Sequence, residues 1–283
     1  DARQLLNGAP GTEVKLRILR SRPLTVTVKR GVFKAPAAEA RMEAGKIGIL
    51  RINSLAEGEA ADARNRLQDL LKQGAQKIVL DLRSLAGGSL TEGVSVANLF
   101  IKDGVLAQTI GRESKPLKTF TADPKAAVFN GPVVALIDTG TAGAAEIVAS
   151  ALAERKRGEI VGEKSFGAGT EQQLFTLRDG DGLLLTTIKW ASLSGKPFLG
   201  EDRARSGVAP TIEVKRQEVV EAIDPEDLTG NDDDAVANPN PQNDKREVAP
   251  DAAAPKQQPE DVQLKKALEL LRGNTAQPSQ RAA

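Results

Sequence analysis

The stretch Val133–Glu154, VVALIDTGTAGAAEIVASALAE, decides how this chain folds. Val133 to Ile137 are uninterrupted apolar residues, the composition of a strand covered on both faces. Asp138 to Gly143 are small or turn-forming, and Ala144 to Glu154 then continue with helical character. A strand that passes through a short elbow into a helix exposes one side chain at the turn. It also leaves free amides at the helix N-terminus, where negative charge is favoured.

The same alternation extends upstream. Ile47–Ile52 reads as a strand, and residues 57–73 as a helix in which Ala60, Ala63, Leu67, Leu70 and Leu71 recur at helical spacing. A strand at 77–82, a glycine turn and a helix over 91–101 follow. Strand, helix, strand, turn and helix in this order predict a layered α/β domain. Ala35 to Ala44 reads as a charged, small-residue connector. Downstream, strands at 173–177 and 183–190 flank Arg178-Asp179-Gly180-Asp181-Gly182, a hairpin turn.

At the N-terminal end, Ala2 to Leu6 reads as the end of a short helix stopped by Asn7-Gly8, and Pro10-Gly11-Thr12 as a turn. Two alternating strands follow, at 13–19 and 25–29. After about Asp224 the composition shifts to Asp, Asn, Pro, Ala and Gln through Gln258, too polar to offset chain entropy, so disorder is expected there. Helical periodicity returns over 261–272, through Val262, Leu264, Ala267, Leu268 and Leu271, as a tethered helix that docks back on the domain.

Composition excludes several chemistries. The 283 residues contain no histidine and no cysteine, which removes Ser-His-Asp triads, thiol nucleophiles and nearly every catalytic zinc site. Acid–base work must fall to carboxylates, lysines or backbone, so hydrolysis would require something like a Ser-Lys dyad. A net charge of +1 does not predict a nucleic-acid or membrane partner, and no apolar run is long enough to span a bilayer. The chain opens on Asp1 with Met42 as its one methionine, so it is expected to begin inside a longer protein.

Three strings carry the chemistry. Residues 80–88, LDLRSLAGG, end a strand in paired glycines whose amides can face open space and hold a developing oxyanion. The elbow at 138–144 is the second. Residues 161–172, VGEKSFGAGTEQ, are the third. In order and spacing these resemble the carboxy-terminal (tail-specific) processing proteases, peptidase S41, whose patterns read "DLRxNxGG", "vNxGSASAsEI" and "vGexTfGKGxxQ". The string Leu5-Leu6-Asn7-Gly8-Ala9-Pro10-Gly11-Thr12 resembles the last third of a PDZ domain.

This resemblance implies an α/β (α+β) core of the tail-specific protease or crotonase-like type, preceded by a truncated PDZ domain. It divides the chain into 1–33 (PDZ end), 34–223 (protease-like core), 224–259 (disordered linker) and 260–283 (C-terminal helix and tail). The family's nucleophile falls on Gly143, its lysine base on Ala168 and its orienting glutamine on Gln172. Oxyanion donors fall on Gly87, Gly88 and Ala144. Glycine has no side chain to attack a carbonyl, and alanine cannot accept its proton. The family implies no cofactor or metal, unfolded protein C-termini or peptides as partners, and a periplasmic or otherwise exported location. Three readings stand: a catalytically degenerate homologue that keeps a peptide cleft, an active endopeptidase with a relocated nucleophile, and a small apolar ligand carrier, since retinoid-binding repeats of the eye matrix resemble this fold. Thr141, Ser150, Ser165 and Lys164 are the nearby alternative groups, with Thr141 expected to cap the helix that follows it.

Overall fold

The computed structural model describes residues 5–18, 24–32, 36–112, 115–178, 180–216 and 260–273. They fall in two units, residues 5–18, 24–32 and 260 in the first and the described residues between 36 and 216 with 261–273 in the second. The linker expected over 224–259 and the first residues of the N-terminal helix lie outside the described residues.

In the first unit, strands β1 (Glu13–Ile18) and β2 (Leu24–Lys29) pair antiparallel, with Glu13 opposite Lys29 and Ile18 opposite Leu24. Leu5 and Leu6 are helical, and the Arg30 guanidinium closes the motif. It donates to the Leu6 carbonyl at 2.8 Å, the Leu5 carbonyl at 3.1 Å, the Glu13 carbonyl at 2.9 Å and Thr12 Oγ1 at 3.0 Å. A planar cation here satisfies helix C-terminal carbonyls that have no partner further along the chain.

The second unit is built on a six-stranded sheet in the order β12 (Ile212–Glu213), β9 (Glu159–Gly162), β8 (Val133–Ile137), β5 (Lys77–Asp81), β4 (Ile47–Ile52) and β3 (Ala38–Glu43). All neighbours are parallel except β3 and β4. The sheet is covered on both faces, which explains the continuous apolar strands. Leu50, Ile52, Ile78, Leu80, Ala135, Ile137 and Ile160 face a core shared with helices α1 (Ala60–Lys72), α2 (Leu90–Asn98) and α3 (Ala144–Glu154). Ile47, Ile49, Val79, Val134, Leu136 and Val161 face Ala267 and Leu271 of α4 (Val262–Gly273). A second, antiparallel sheet has the order β10 (Thr170–Thr176), β11 (Gly182–Ala191), β6 (Val105–Ile110) and β7 (Pro116–Thr121).

The layered α/β expectation holds, and α3 and β8 fall on the bounds read from sequence. The connector expected at Ala35–Ala44 is corrected. Ala38–Glu43 forms edge strand β3, because Ala38 is buried and its backbone N–H donates to Asp62 at 3.0 Å. Alternating Ala and Glu on an edge carries too little hydrophobicity to be recognised as a strand. Ile212–Glu213 forms the short strand β12, with residues 206–211 before it in loop conformation.

Two packing features position the site. Helix α2 crosses the start of α3 at Gly93, where a Cβ would lie 2.5 Å from the Ala144 carbonyl oxygen. On the opposite face, α4 is clasped by Arg83, whose side chain is 6% exposed. Arg83 donates twice to Asp81 and, through both terminal nitrogens, to the Asp261 carboxylate at 2.8 Å each. Burial opposes the Arg83 charge, but the two carboxylates outweigh it and hold its pKa above the ordinary value. Burial likewise opposes the Asp261 charge, yet hydrogen bonds from Arg83 and the Leu264 N–H hold its carboxyl below the usual range.

Gly93→Ala is expected to cost about 1–3 kcal/mol of stability by pushing α2 off α3, measurable by urea denaturation. For Asp261 the lowered pKa means that its contribution is fully present above the unfolded value and is lost as pH falls through the folded one. Asp261→Asn should therefore lower Tm at pH 7, and the gap between the two melting temperatures should shrink as pH falls below the ordinary carboxylate range.

Candidate active site

The site lies where three adjacent parallel strands, β5, β8 and β9, release their chains from their carboxyl ends, the edge at which open α/β sheets place ligands. The turns after them contain Gly87-Gly88, Gly143 and Ala168. Gly143 is the N-cap of α3, with φ 65° and ψ −118°, a combination that glycine adopts without strain. A Cβ built there would lie 3.1 Å from the Gly87 carbonyl oxygen and 3.3 Å from that of Ala168. Segments far apart in sequence thus meet at one point.

The candidate oxyanion donors are arranged unequally. The Ala144 N–H donates to the Gly87 carbonyl at 3.1 Å, so an incoming oxyanion would have to displace that oxygen. Gly87 and Gly88 have φ of 86° and 84°. A side chain on Gly87 would meet nothing within 4 Å, whereas one on Gly88 would press on the Leu55 carbonyl at 2.7 Å. Gln172 sits in β10 opposite Thr186, just past an irregularity between Glu171 and Gln172, and is exposed.

What fixes this geometry is Glu146, which the sequence reading did not single out. Its side chain is fully buried and is surrounded by donors. Oε2 accepts from the Gly143 and Ala168 amides, each at 2.9 Å, and Oε1 accepts from the Gly167 amide at 2.8 Å and from Ser165 Oγ. Ser165 Oγ in turn accepts from the Val208 N–H at 2.7 Å, so its own proton is directed at Glu146. Burial pushes the Glu146 pKa up, opposed by the hydrogen bonds from Ser165, Ala168, Gly143 and Gly167. The signal available in sequence was a Glu at the third position of a helix, which reaches back to its own N-cap amide. Its partners around 165–168 are some twenty residues downstream.

The other hydroxyls and amines nearby have structural partners. Thr141 does not cap α3, contrary to expectation. Its Oγ1 donates to the Leu82 carbonyl and accepts from the Asp138 amide, each at 3.0 Å, tying the ends of β5 and β8 together. Ser150 Oγ donates to the Ile147 carbonyl at 3.2 Å. Lys164 Nζ points to the Ala204 carbonyl at 2.6 Å. Ser84 Oγ contacts Asp138 Oδ2 at 3.1 Å, but Arg216 pairs with that same oxygen at 3.2 Å.

The model of Peptidase family S41 matches residues 46–214, which include all three turns. This chain belongs to peptidase family S41. Among S41 relatives, it is 32% identical over 276 residues to a carboxy-terminal-processing protease of Bartonella bacilliformis, covering 95% of this chain and 62% of that protein. It is also 32% identical over 197 residues to a carboxyl-terminal-processing protease of Synechocystis, covering 67% of this chain and 46% of that one. The chain therefore spans less than two thirds of these S41 relatives. A solved photosystem II D1 C-terminal processing protease superposes with a TM-score of 0.57 at 26% identity, over 74% of this chain and 57% of the other. The S41 fold is thus established.

Because all four neighbours of Glu146 donate, only a carboxylate suits the position. Glu146→Gln turns an NH2 toward two donors and is expected to cost about 1–3 kcal/mol, read from denaturant midpoints, while Glu146→Asp is expected to retain part of the loss.

Proposed function

We propose that this S41 chain is a catalytically degenerate homologue that keeps an open cleft for extended peptide or unfolded protein C-termini. The observation that carries the reading is the meeting point itself: a Cβ on Gly143 would lie 3.3 Å from the Ala168 carbonyl oxygen, and neither residue, matched by resemblance to the family's serine and lysine, has a functional side chain. Loss of one member fits a single inactivating change. Loss of both fits a lineage in which selection for the dyad has ceased, while the Glu146 anchoring that shapes the cleft has been retained.

The relocated-nucleophile reading is weakened by the partners of Ser84, Ser150, Ser165 and Thr141 and by the direction of Lys164. A carrier of small apolar ligands would need a closed chamber, whereas Gly87 borders open space. By resemblance, residues 1–33 are proposed as the end of a PDZ domain, 34–223 as the protease-like core, 224–259 as a linker and 260–283 as a helix and tail. An exported or periplasmic location is proposed on the same basis.

The test is proteolysis of denatured casein. The chain itself is expected to yield no fragments, and Gly143→Ser with Ala168→Lys is expected to produce them, with either single variant remaining inert. Serine at a φ of 65° adds roughly 1–3 kcal/mol of strain, so the double variant should melt at lower temperature. A folded double variant that cleaves nothing would sink the alignment, and cleavage by the unaltered chain would sink the degeneracy.

A further inference from the structure

A recess of about 160 Å³ lies between the second half of α3, the loop that follows β11 and the loop that precedes β12. It has room for several waters or one small organic molecule, less than the roughly 300–1,000 Å³ of a drug-sized site. Ser150, on its wall, stands about 10 Å along α3 from Gly143. None of the groups that line it takes part in the Gly143–Ala168 meeting point. The walls are tied in place by the backbone: the Ser192 N–H donates to the Lys196 carbonyl at 2.9 Å, the Phe198 N–H to the Trp190 carbonyl at 3.0 Å, and the Gly207 N–H to the Phe198 carbonyl at 2.8 Å. The recess is therefore formed before any occupant arrives.

Its lining is chemically divided. Ala153, Pro197, Phe198 and Val208 supply an apolar body. Ser150 and Ser192, both buried, add hydroxyls, and Glu154 and Lys196 add charges of opposite sign. The Glu154 carboxylate is oriented by Ser194, which donates from its N–H at 3.0 Å and from its Oγ at 3.2 Å. With that proton directed at Glu154, Ser192 Oγ is the donor in its 2.9 Å contact with Ser194 Oγ and keeps its lone pairs free. Ser150 likewise directs its proton to the Ile147 carbonyl and keeps its lone pairs. Two hydroxyl acceptors and a carboxylate thus gather at the carboxyl end of a helix, where helix carbonyls favour a cation. Lys196 lines the same recess, yet among the described residues it pairs with neither Glu154 nor any other carboxylate.

We propose that this recess binds a free α-amino acid with a small apolar side chain, valine being the type ligand. Its ammonium meets Glu154 and the serine lone pairs, its carboxylate meets the Lys196 ammonium, and its side chain packs on Phe198 and Val208. Opposite charges that line one small recess without pairing with each other match a ligand that carries both charges on adjacent atoms. A simple amine or a simple carboxylic acid leaves one of the two unmatched, and a residue inside a polypeptide carries neither, so the same groups discriminate against all three.

The test is titration calorimetry and thermal melting of the whole chain with L-valine. Saturable heat is expected, and valine at ten times its Kd should raise Tm by about 3–6 °C. N-acetylvaline and valinamide, each missing one charge, should bind at least about tenfold more weakly, and glycine should also bind more weakly for want of a side chain. Glu154→Gln and Lys196→Met should each weaken valine by about tenfold or more. Both positions are exposed, so Tm without valine should barely change. Absence of heat and of a Tm shift at millimolar valine overturns the proposal. So does valine binding that both substitutions leave intact, or valinamide and N-acetylvaline bound as tightly as valine.

Discussion

Four hydrogen-bond donors converge on the buried Glu146 carboxylate, and the shape of the site depends on that convergence. A carboxylate taken out of water is costly unless its lone pairs are satisfied, and here every accepting position has a partner. Those partners belong to two separate pieces of chain: the N-cap of α3 and the turn that follows β9. Holding one oxygen between the Gly143 and Ala168 amides fixes the distance between those two positions.

The central sheet supplies the rigid base for that convergence. Its strands are covered on both faces, so β5, β8 and β9 cannot shift without exposing a core, and their carboxyl ends stay in register. Gly93 lets α2 and α3 approach to backbone distance, which sets the height of the elbow above the sheet. On the far side Arg83 links the end of β5 to α4, and Gln263 of α4 reaches the Val214 carbonyl at 2.8 Å. Removing one partner from such a buried charged cluster is more damaging than the cluster's net contribution, because the remaining charges lose their compensation.

The second sheet obeys different rules. Its inner strands rest on the core, with Trp190 and Ala191 buried, whereas the outer half of β10 and β11 runs free of it. The hairpin therefore keeps its apolar side chains exposed.

Local pattern determined much of this protein. The run of apolar residues into the small-residue elbow placed β8 and α3, because both the alternation and its interruption occur within neighbouring residues. The absence of histidine and cysteine excluded imidazole and thiol chemistry, and Gly143 and Ala168 carry no reactive side chain. Tertiary structure decided the rest. Ala38–Glu43 became a strand only because β4 offered it a partner. Thr141 turned from the helix it precedes to the Leu82 carbonyl, and Glu146 acquired its role from residues some twenty positions away. Each of these depends on a partner distant in sequence, and a one-dimensional reading records side-chain chemistry and spacing but not which remote groups folding brings within hydrogen-bonding distance.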